Sequence, residues 1–281
     1  MIEIFNAVSN IAVDIEKDIF NGLSDEFFDV KIEDDELHSK IYTKCTQIIE
    51  TELEKVRSVK GALSKDKKQM CTINPNGKYI VAYVSIDNVE LLDVDYSLGT
   101  IFCVYENEIS PKNIKASAYI TYGPTFQMVF ATQSEGVKFF SYEDSQFVQK
   151  ESFRLSSSGK INSTGGDIAA WTSEHKDLMQ SFFDSGYRLR FSDSLVLDTH
   201  QILFKRGGIY SNPATKNDPN GTMELVFECY PISFIVELAG GMAIDGKYRI
   251  LDIESLNVHH KSPFYFGSTN EIQKVKLVFG A

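Results

Sequence analysis

The stretch "YIVAYVSIDNVELLDVDYSLGTIFCVYE", residues 79–106, sets the fold of the N-terminal half. Tyr79–Ser85 and Leu98–Tyr105 are apolar, β-branched and aromatic runs of strand length. The segment joining them carries three aspartates and a glutamate. Acid-rich turns after a strand supply the hard oxygen ligands that Mg²⁺ and Ca²⁺ prefer. Here, however, the acids are interleaved with Val84, Val89, Leu91 and Leu92, which ligate nothing.

Outward from this pair, strands continue to about residue 155. "KYIVAYVS", "LGTIFCVY", "KASAYITYG", "FQMVFATQ" and "GVKFFSYE" are separated by short turns, which predicts an antiparallel meander. Upstream, Ile4, Val8, Ile11, Ile15 and Ile19 fall at steps of three and four, the signature of an amphipathic helix. Ile41, Cys45, Ile48, Ile49, Leu53 and Val56 predict a second helix. "NGLSDEFFDVKIEDDELHS" between them, with the acidic run 32–36, reads as an exposed loop. Downstream of the Ser/Gly-rich stretch 156–166 the pattern alternates between helix and strand. It predicts a helix over Ser173–Asp184, a short strand "YRLRF", a helix from about Asp193 to Lys205, and a longer apolar helix ending at a glycine pair, "ELVFECYPISFIVELAGG". The expected organisation is layered α/β. It divides into an N-terminal half, 1–157, with a mostly antiparallel sheet, and a C-terminal α/β half, 158–281.

The balance of 28 Lys+Arg against 39 Asp+Glu opposes binding to a phosphate backbone, so no nucleic-acid partner is expected. No run approaches the ~18 apolar residues of a membrane span. The first residues lack the basic start and apolar block of a signal peptide. Cys45, Cys71, Cys103 and Cys229 are scattered, as expected of reduced thiols. These features predict a cytoplasmic protein without a membrane partner.

The stretch from 207 to 272, "GGIYSNPATKNDPNGTMELVFECYPISFIVELAGGMAIDGKYRILDIESLNVHHKSPFYFGSTNEI", resembles the class I fructose-1,6-bisphosphatases. Their usual form is GGIF-x-YPA, SPxGKLRLLYE, P-x-(A/S)-F-x-x-E-x-AGG, DGK-x-RILD and P-x-FxGS. The family's ADxH appears as Leu197–His200, its RY as Arg190–Phe191, and its SIGTIFGIY as "SLGTIFCVY". The likeness runs from about Tyr42 to Val275. It implies the family's five-layered αβαβα fold, a Mg²⁺-dependent sugar bisphosphatase, and a homo-oligomer, dimer or tetramer, usually a homotetramer.

Seen beside that family, the opening stretch is its metal and phosphate loop, D-P-L-D-G-S-S followed by an aspartate. The first metal-binding aspartate is Val84 here and the second is Asp87. The glycine is Asn88, and the serines are Val89 and Glu90. The family's S-E-E reads Ser64, Lys65, Asp66. The aspartate of K-(L/F)-D-V-L-S aligns with Tyr42, the lysine of P-x-G-K with Thr222, and the tyrosine before P-A with Asn212. Glu228, the family's late metal ligand, is retained, as are Arg190 and Asn162. Phosphoryl transfer rests on positioning and charge neutralisation by metal ions, and a protonated lysine cannot ligate one.

The replacements strike catalytic positions while "PISFIVELAGG" and "DGKYRILDI" persist. The expectation is therefore a catalytically degenerate homologue, a pseudoenzyme of carbohydrate metabolism with a degenerate metal site. Such a chain would bind a sugar phosphate or a protein partner and need no cofactor. Arg190, Asn162 and Asn212 are its substrate-binding candidates. The alternative is a repurposed, metal-independent lyase or isomerase. In that case Lys65, with burial lowering its pKa towards Schiff-base chemistry, Tyr42 as acid/base, and Glu228 are the catalytic candidates. The third reading is a residual Mg²⁺-dependent phosphatase using Asp66, Asp87 and Glu228 as metal ligands. His200 is expected to pack and His259 and His260 to lie at a strand edge, while "STGG", 163–166, carries a weak anion-site signal.

Overall fold

The computed structural model describes residues 1–22, 34–67, 69–152 and 154–280. Residues 32 and 33 of the acidic run, and the side chain of Ile19, lie outside the described residues. Helix α1 (Ile2–Gly22) buries Ile4, Val8, Ile11 and Ile15 along one stripe. Helix α2 (Asp34–Glu54) buries Ile41, Cys45, Ile49 and Leu53 in the same manner. It begins at Asp34, so the expected loop is corrected over 34–39. The apolar positions Leu37 and Ile41, four apart, extend the helical stripe back into that stretch.

The first sheet holds eight strands. They are β1 (Val59–Ser64), β2 (Cys71–Thr72), β3 (Tyr79–Asp87), β4 (Leu98–Glu106), β5 (Ile114–Tyr122), β6 (Gln127–Thr132), β7 (Gly136–Glu143) and β8 (Gln146–Lys150). Their spatial order is β2-β1-β3-β4-β5-β6-β7-β8, with β1 parallel to β3 and the other pairs antiparallel. The five strands expected from the sequence are β3 to β7, and β8 extends that antiparallel meander by one more.

The second sheet uses β9 (Ile161–Thr164), β10 (Arg188–Leu189) and β11 (Ile209–Asn212). After a short β12 (Met223–Glu224) come β13 (Met242–Ile244), β14 (Lys261–Ser262) and β15 (Phe264–Gly267). Its order is β10-β9-β11-β15-β13, while β12 and β14 pair separately. The remaining helices are α3 (Ser173–Asp184), α4 (Leu195–Phe204), α5 (Tyr230–Leu238) and α6 (Thr269–Phe279).

Side-chain alternation turns these elements into layers. Successive residues of a strand point to opposite faces. In β3, Tyr79, Val81 and Tyr83 join α1 and α2 in one core, whereas Ile80, Ala82 and Val84 join α4 and α5 in another. Both faces are covered, so β3 is buried along its whole length and reads as a continuous apolar run. The second sheet repeats the device: Tyr210 and Phe266 face α4 and α5, while Ile209 and Tyr265 face α3 and α6. The result is the αβαβα fold. No described helix is long and apolar enough to cross a membrane.

Helix α4 sits tightly on the first sheet because Gly99 of β4 lacks a side chain. A Cβ there would lie 2.5 Å from Cβ of Val196. Gly99→Ala is therefore expected to push back the start of α4 and to cost about 1–3 kcal/mol of unfolding free energy. Chemical denaturation measures it, and an unchanged midpoint would contradict this packing.

Candidate functional site

The acidic loop after β3 leads into a cavity of about 270 Å³ where the layers meet. Tyr42 of α2, Lys65 and Asp66 beyond β1, and Val84, Ile86 and Asp87 of β3 line one part. Phe191, Asp193 and Leu195 near α4, Tyr210 and Asn212 of β11, and Met223 and Glu228 line the rest. Pairing of β3 with β4 slips between Val84 and Asp87, which ends the regular ladder at the cavity wall. Asn88 then turns the chain in the left-handed region (φ 55°), a conformation asparagine tolerates. Its Nδ2 donates to the Asp193 carbonyl at 2.9 Å and to its carboxylate at 3.1 Å. Val89 and Leu91 turn into the core beneath α2, which leaves the cavity open.

Asp87 ties this wall to α4. Its Oδ2 accepts the Ser194 hydroxyl and the Val196 amide, both at 2.7 Å. The carboxylate therefore meets the positive end of the helix dipole. Burial nonetheless pushes the Asp87 carboxyl up to about 6, against those two hydrogen bonds and the nearby Lys65 ammonium. The Ser194 hydroxyl also accepts the Leu197 amide at 3.1 Å and caps the helix, so α4 starts at Leu195 rather than Asp193.

Glu228 projects from a single π-helical turn, Leu225–Cys229, that runs into α5. The Tyr105 hydroxyl donates to the Val226 carbonyl at 2.9 Å and braces this turn. Glu228 Oε1 accepts from Lys65 Nζ at 2.7 Å, and its Oε2 accepts the Glu224 amide at 2.7 Å. For Lys65, burial alone would disfavour the ammonium. The Glu228 charge and hydrogen bond, helped by Asp87 and Glu224, outweigh it and hold the amine above the usual lysine range. This corrects the Schiff-base expectation for Lys65, which needs a neutral amine. Burial likewise raises the Tyr42 hydroxyl above its usual range, which disfavours the phenolate form a base would need.

The other candidates disperse. Asn212 lies at the cavity and its Oδ1 accepts the Thr222 hydroxyl at 2.9 Å. Asn162 is fully buried in β9, with Nδ2 on Met179 Sδ at 3.4 Å, so it is corrected as a candidate for this cavity. Arg190 borders a separate cavity of about 520 Å³ with Lys160, Arg188 and Lys205, apart from the one that Lys65 lines. In "STGG" the Gly165 amide donates to the Ser211 carbonyl and is not offered to an anion. His200 packs against Phe204 and shares a hydrogen bond with the Tyr119 hydroxyl at 3.1 Å. His259 Nδ1 lies 3.1 Å from Glu224 Oε2, and His260 Nδ1 accepts the Leu256 amide at 3.2 Å. Sequence reasoning missed Ser194 and the Val196 amide. The "SDSLV" cap pattern marks the helix start but not its partner.

The Mg²⁺ implied by the resemblance does not fit these donors as they stand. Both Glu228 oxygens and Asp87 Oδ2 are engaged by N–H or O–H groups, and one of those groups is an ammonium. Among the described residues no group of three His, Cys, Asp or Glu side chains is arranged to hold a metal ion.

Two family descriptions match the chain: "Fructose-1-6-bisphosphatase, N-terminal domain" over residues 34–151 and "Fructose-1-6-bisphosphatase, C-terminal domain" over 155–279. Fructose-1,6-bisphosphatase class 1 of Campylobacter hominis is 42% identical over 243 residues, 86% of each chain. The enzyme of the same name from Campylobacter curvus is 37% identical over 99% of this chain and 94% of its own. The crystal structure of Leishmania major fructose-1,6-bisphosphatase in holo form superposes with a TM-score of 0.89. It is 21% identical and covers 98% of this chain and 92% of its own, a likeness of fold.

These findings correct the functional expectation. The relatives are named as fructose-1,6-bisphosphatases, and their identity extends over most of both chains. They overturn the catalytically degenerate pseudoenzyme with a degenerate metal site, and with it the repurposed lyase or isomerase.

Proposed function

Because this chain belongs to the class 1 fructose-1,6-bisphosphatase family, we propose that it hydrolyses a phosphate ester of fructose 1,6-bisphosphate. The observation that carries the reading is 42% identity over 86% of both chains to an enzyme of that name. The cavity bounded by Lys65, Asp87 and Glu228 supplies the place. Water adds to phosphorus, the bond from phosphorus to the sugar oxygen breaks, and that oxygen leaves with a proton. Inorganic phosphate and fructose 6-phosphate result when the C1 ester is cleaved.

Family membership implies dependence on Mg²⁺, but the donors of this cavity as they stand do not fit that ion, and the steps here rest on the chain's own groups. The chain's own groups have distinct tasks. Lys65 places an ammonium against the phosphate, and Glu228 holds that ammonium in position. Asp66, on the same cavity, orients the attacking water. Asp87 fixes the N-terminus of α4 against β3 and so sets the shape of the site. The Tyr42 hydroxyl and Asn212 offer hydrogen bonds to the sugar, with Phe191, Tyr210 and Met223 as walls. The active form is a homo-oligomer, dimer or tetramer, which light scattering on the purified chain reads directly.

The test is ³¹P NMR of fructose 1,6-bisphosphate incubated with the purified protein and Mg²⁺. The expected result is loss of the C1 phosphate signal with growth of inorganic phosphate. A spectrum unchanged over hours with folded protein would refute the reading.

A further inference from the structure

We propose that Lys65 is the resident cation of this cavity. Its ammonium is anchored on Glu228 in the cavity that Asp87 also lines, and its remaining N–H groups donate to a phosphate oxygen of the substrate. The inference rests on the phosphatase reading and specifies how the phosphate is recognised.

Three observations carry it. Lys65 Nζ lies 2.7 Å from Glu228 Oε1, an ion pair whose acid is 7% exposed in its side chain. Lys65 itself is 31% exposed and borders the cavity, so the ammonium is anchored at one end of the space rather than lost in the core. Among the described residues lining that space it is the one cation, facing Asp66, Asp87, Asp193 and Glu228.

An ammonium carries three donors and no acceptor. Glu228 takes one, and the other two remain for an anion in the cavity. A divalent ion at the same place would need oxygens at about 2.0–2.1 Å in octahedral array. The Glu228 oxygens are instead taken by an ammonium and by the Glu224 amide. Without a cation, Glu228 and Asp87 would repel each other across a poorly solvated space. The lysine removes that repulsion permanently, whereas a bound ion does so only at sufficient concentration.

Two binding measurements test this without requiring turnover. The first is Mn²⁺ binding followed by electron paramagnetic resonance in the absence of sugar. Mn²⁺ affinity of the wild type is expected to be unchanged by Glu228→Gln. Lys65→Glu, which adds a carboxylate, is expected to gain a Mn²⁺ site about tenfold tighter or better, and Glu228→Gln on top of it should abolish the gain. The second is calorimetric titration with fructose 1,6-bisphosphate. Lys65→Met combined with Glu228→Gln removes both charges, so no carboxylate is left buried and unpaired. It is expected to weaken binding about 10- to 100-fold, the worth of one or two charge-assisted hydrogen bonds. Lys65→Arg, which keeps the cation, should retain binding within a few-fold.

Tight Mn²⁺ binding by the wild type that Glu228→Gln destroys would overturn the proposal. So would unaltered sugar bisphosphate binding in the folded double variant. Lys65-dependent binding without phosphate release would uphold Lys65 as the phosphate's partner and sink the phosphatase reading. Phosphate release unaffected by loss of Lys65 would do the reverse.

Discussion

Asp87→Ala is expected to lower phosphate release from fructose 1,6-bisphosphate by about 100-fold or more, the scale seen when a preorganised electrostatic partner is removed. It should also cost about 2–4 kcal/mol of stability, because two hydrogen bonds to a charged acceptor are lost together. The geometry requires both effects. Asp87 Oδ2 is the acceptor for the Ser194 hydroxyl and the Val196 amide, and both donors lie where water does not replace it. Its loss frees the first turn of α4 from β3, and Asp193 and Leu195, just before and at the start of that helix, border the cavity. Asp87→Asn separates the two effects. An amide oxygen still accepts the Val196 amide, so most of the stability should remain, whereas the negative charge beside Lys65 is gone. Rates that fall in both variants while stability falls only in the alanine would support this account. Full activity in Asp87→Ala would contradict it.

The second large effect concerns acid stability and arises from a histidine that does not line the cavity. His175 of α3 is fully buried, edge-on to Trp171 with ring centroids 4.6 Å apart, with Nε2 3.2 Å from the Thr164 hydroxyl. Burial depresses its imidazole from 6.5 to about 4. The unfolded chain therefore takes up a proton below pH 6.5 that the folded chain refuses until about pH 4. Stability from this residue is intact above 6.5 and is lost as pH falls through that window, by about 3 kcal/mol at the acid end. Buried Asp87 and Asp198 work in the opposite sense. Their carboxyls are raised to about 6, so they favour the folded state as pH falls. A single melting curve blends the two, and a difference between variants does not. His175→Phe should gain about 3 kcal/mol relative to wild type between pH 7 and pH 4 in urea denaturation. A difference independent of pH would show that His175 is not held neutral.

Much of the fold was legible because its signals are local. The isoleucine stripe of α1 follows a helical period, and α3 was bounded by Ser173 and Gly186. The continuous apolar run of β3 reflects a strand covered on both faces. The site was partly legible. Lys65 and Asp66, Asp87, and Glu228 come from three separate stretches, and only the family resemblance placed them together. Arg190 and Asn162 do not line this cavity for a geometric reason: proximity in a motif does not say which face of a strand or turn a side chain takes. Asn162 points into the layer beneath α3, and Arg190 faces another cavity.

The functional expectation failed for a different reason. It counted each replaced ligand as a loss, which holds only if the replacement contributes nothing. Lys65 brings a positive charge to Glu228, and the 2.7 Å contact fixes where that charge is held. Backbone donors such as the Val196 amide carry no residue signature at all, so the partner of Asp87 had to come from the structure.

Steady-state phosphate release from fructose 1,6-bisphosphate, with Mg²⁺ titrated upward from a chelated sample, tests the central claim most directly. The account predicts saturable release that yields fructose 6-phosphate and falls sharply in Asp87→Ala. No release at any Mg²⁺ concentration, from protein that melts cooperatively and binds the sugar bisphosphate, would contradict it.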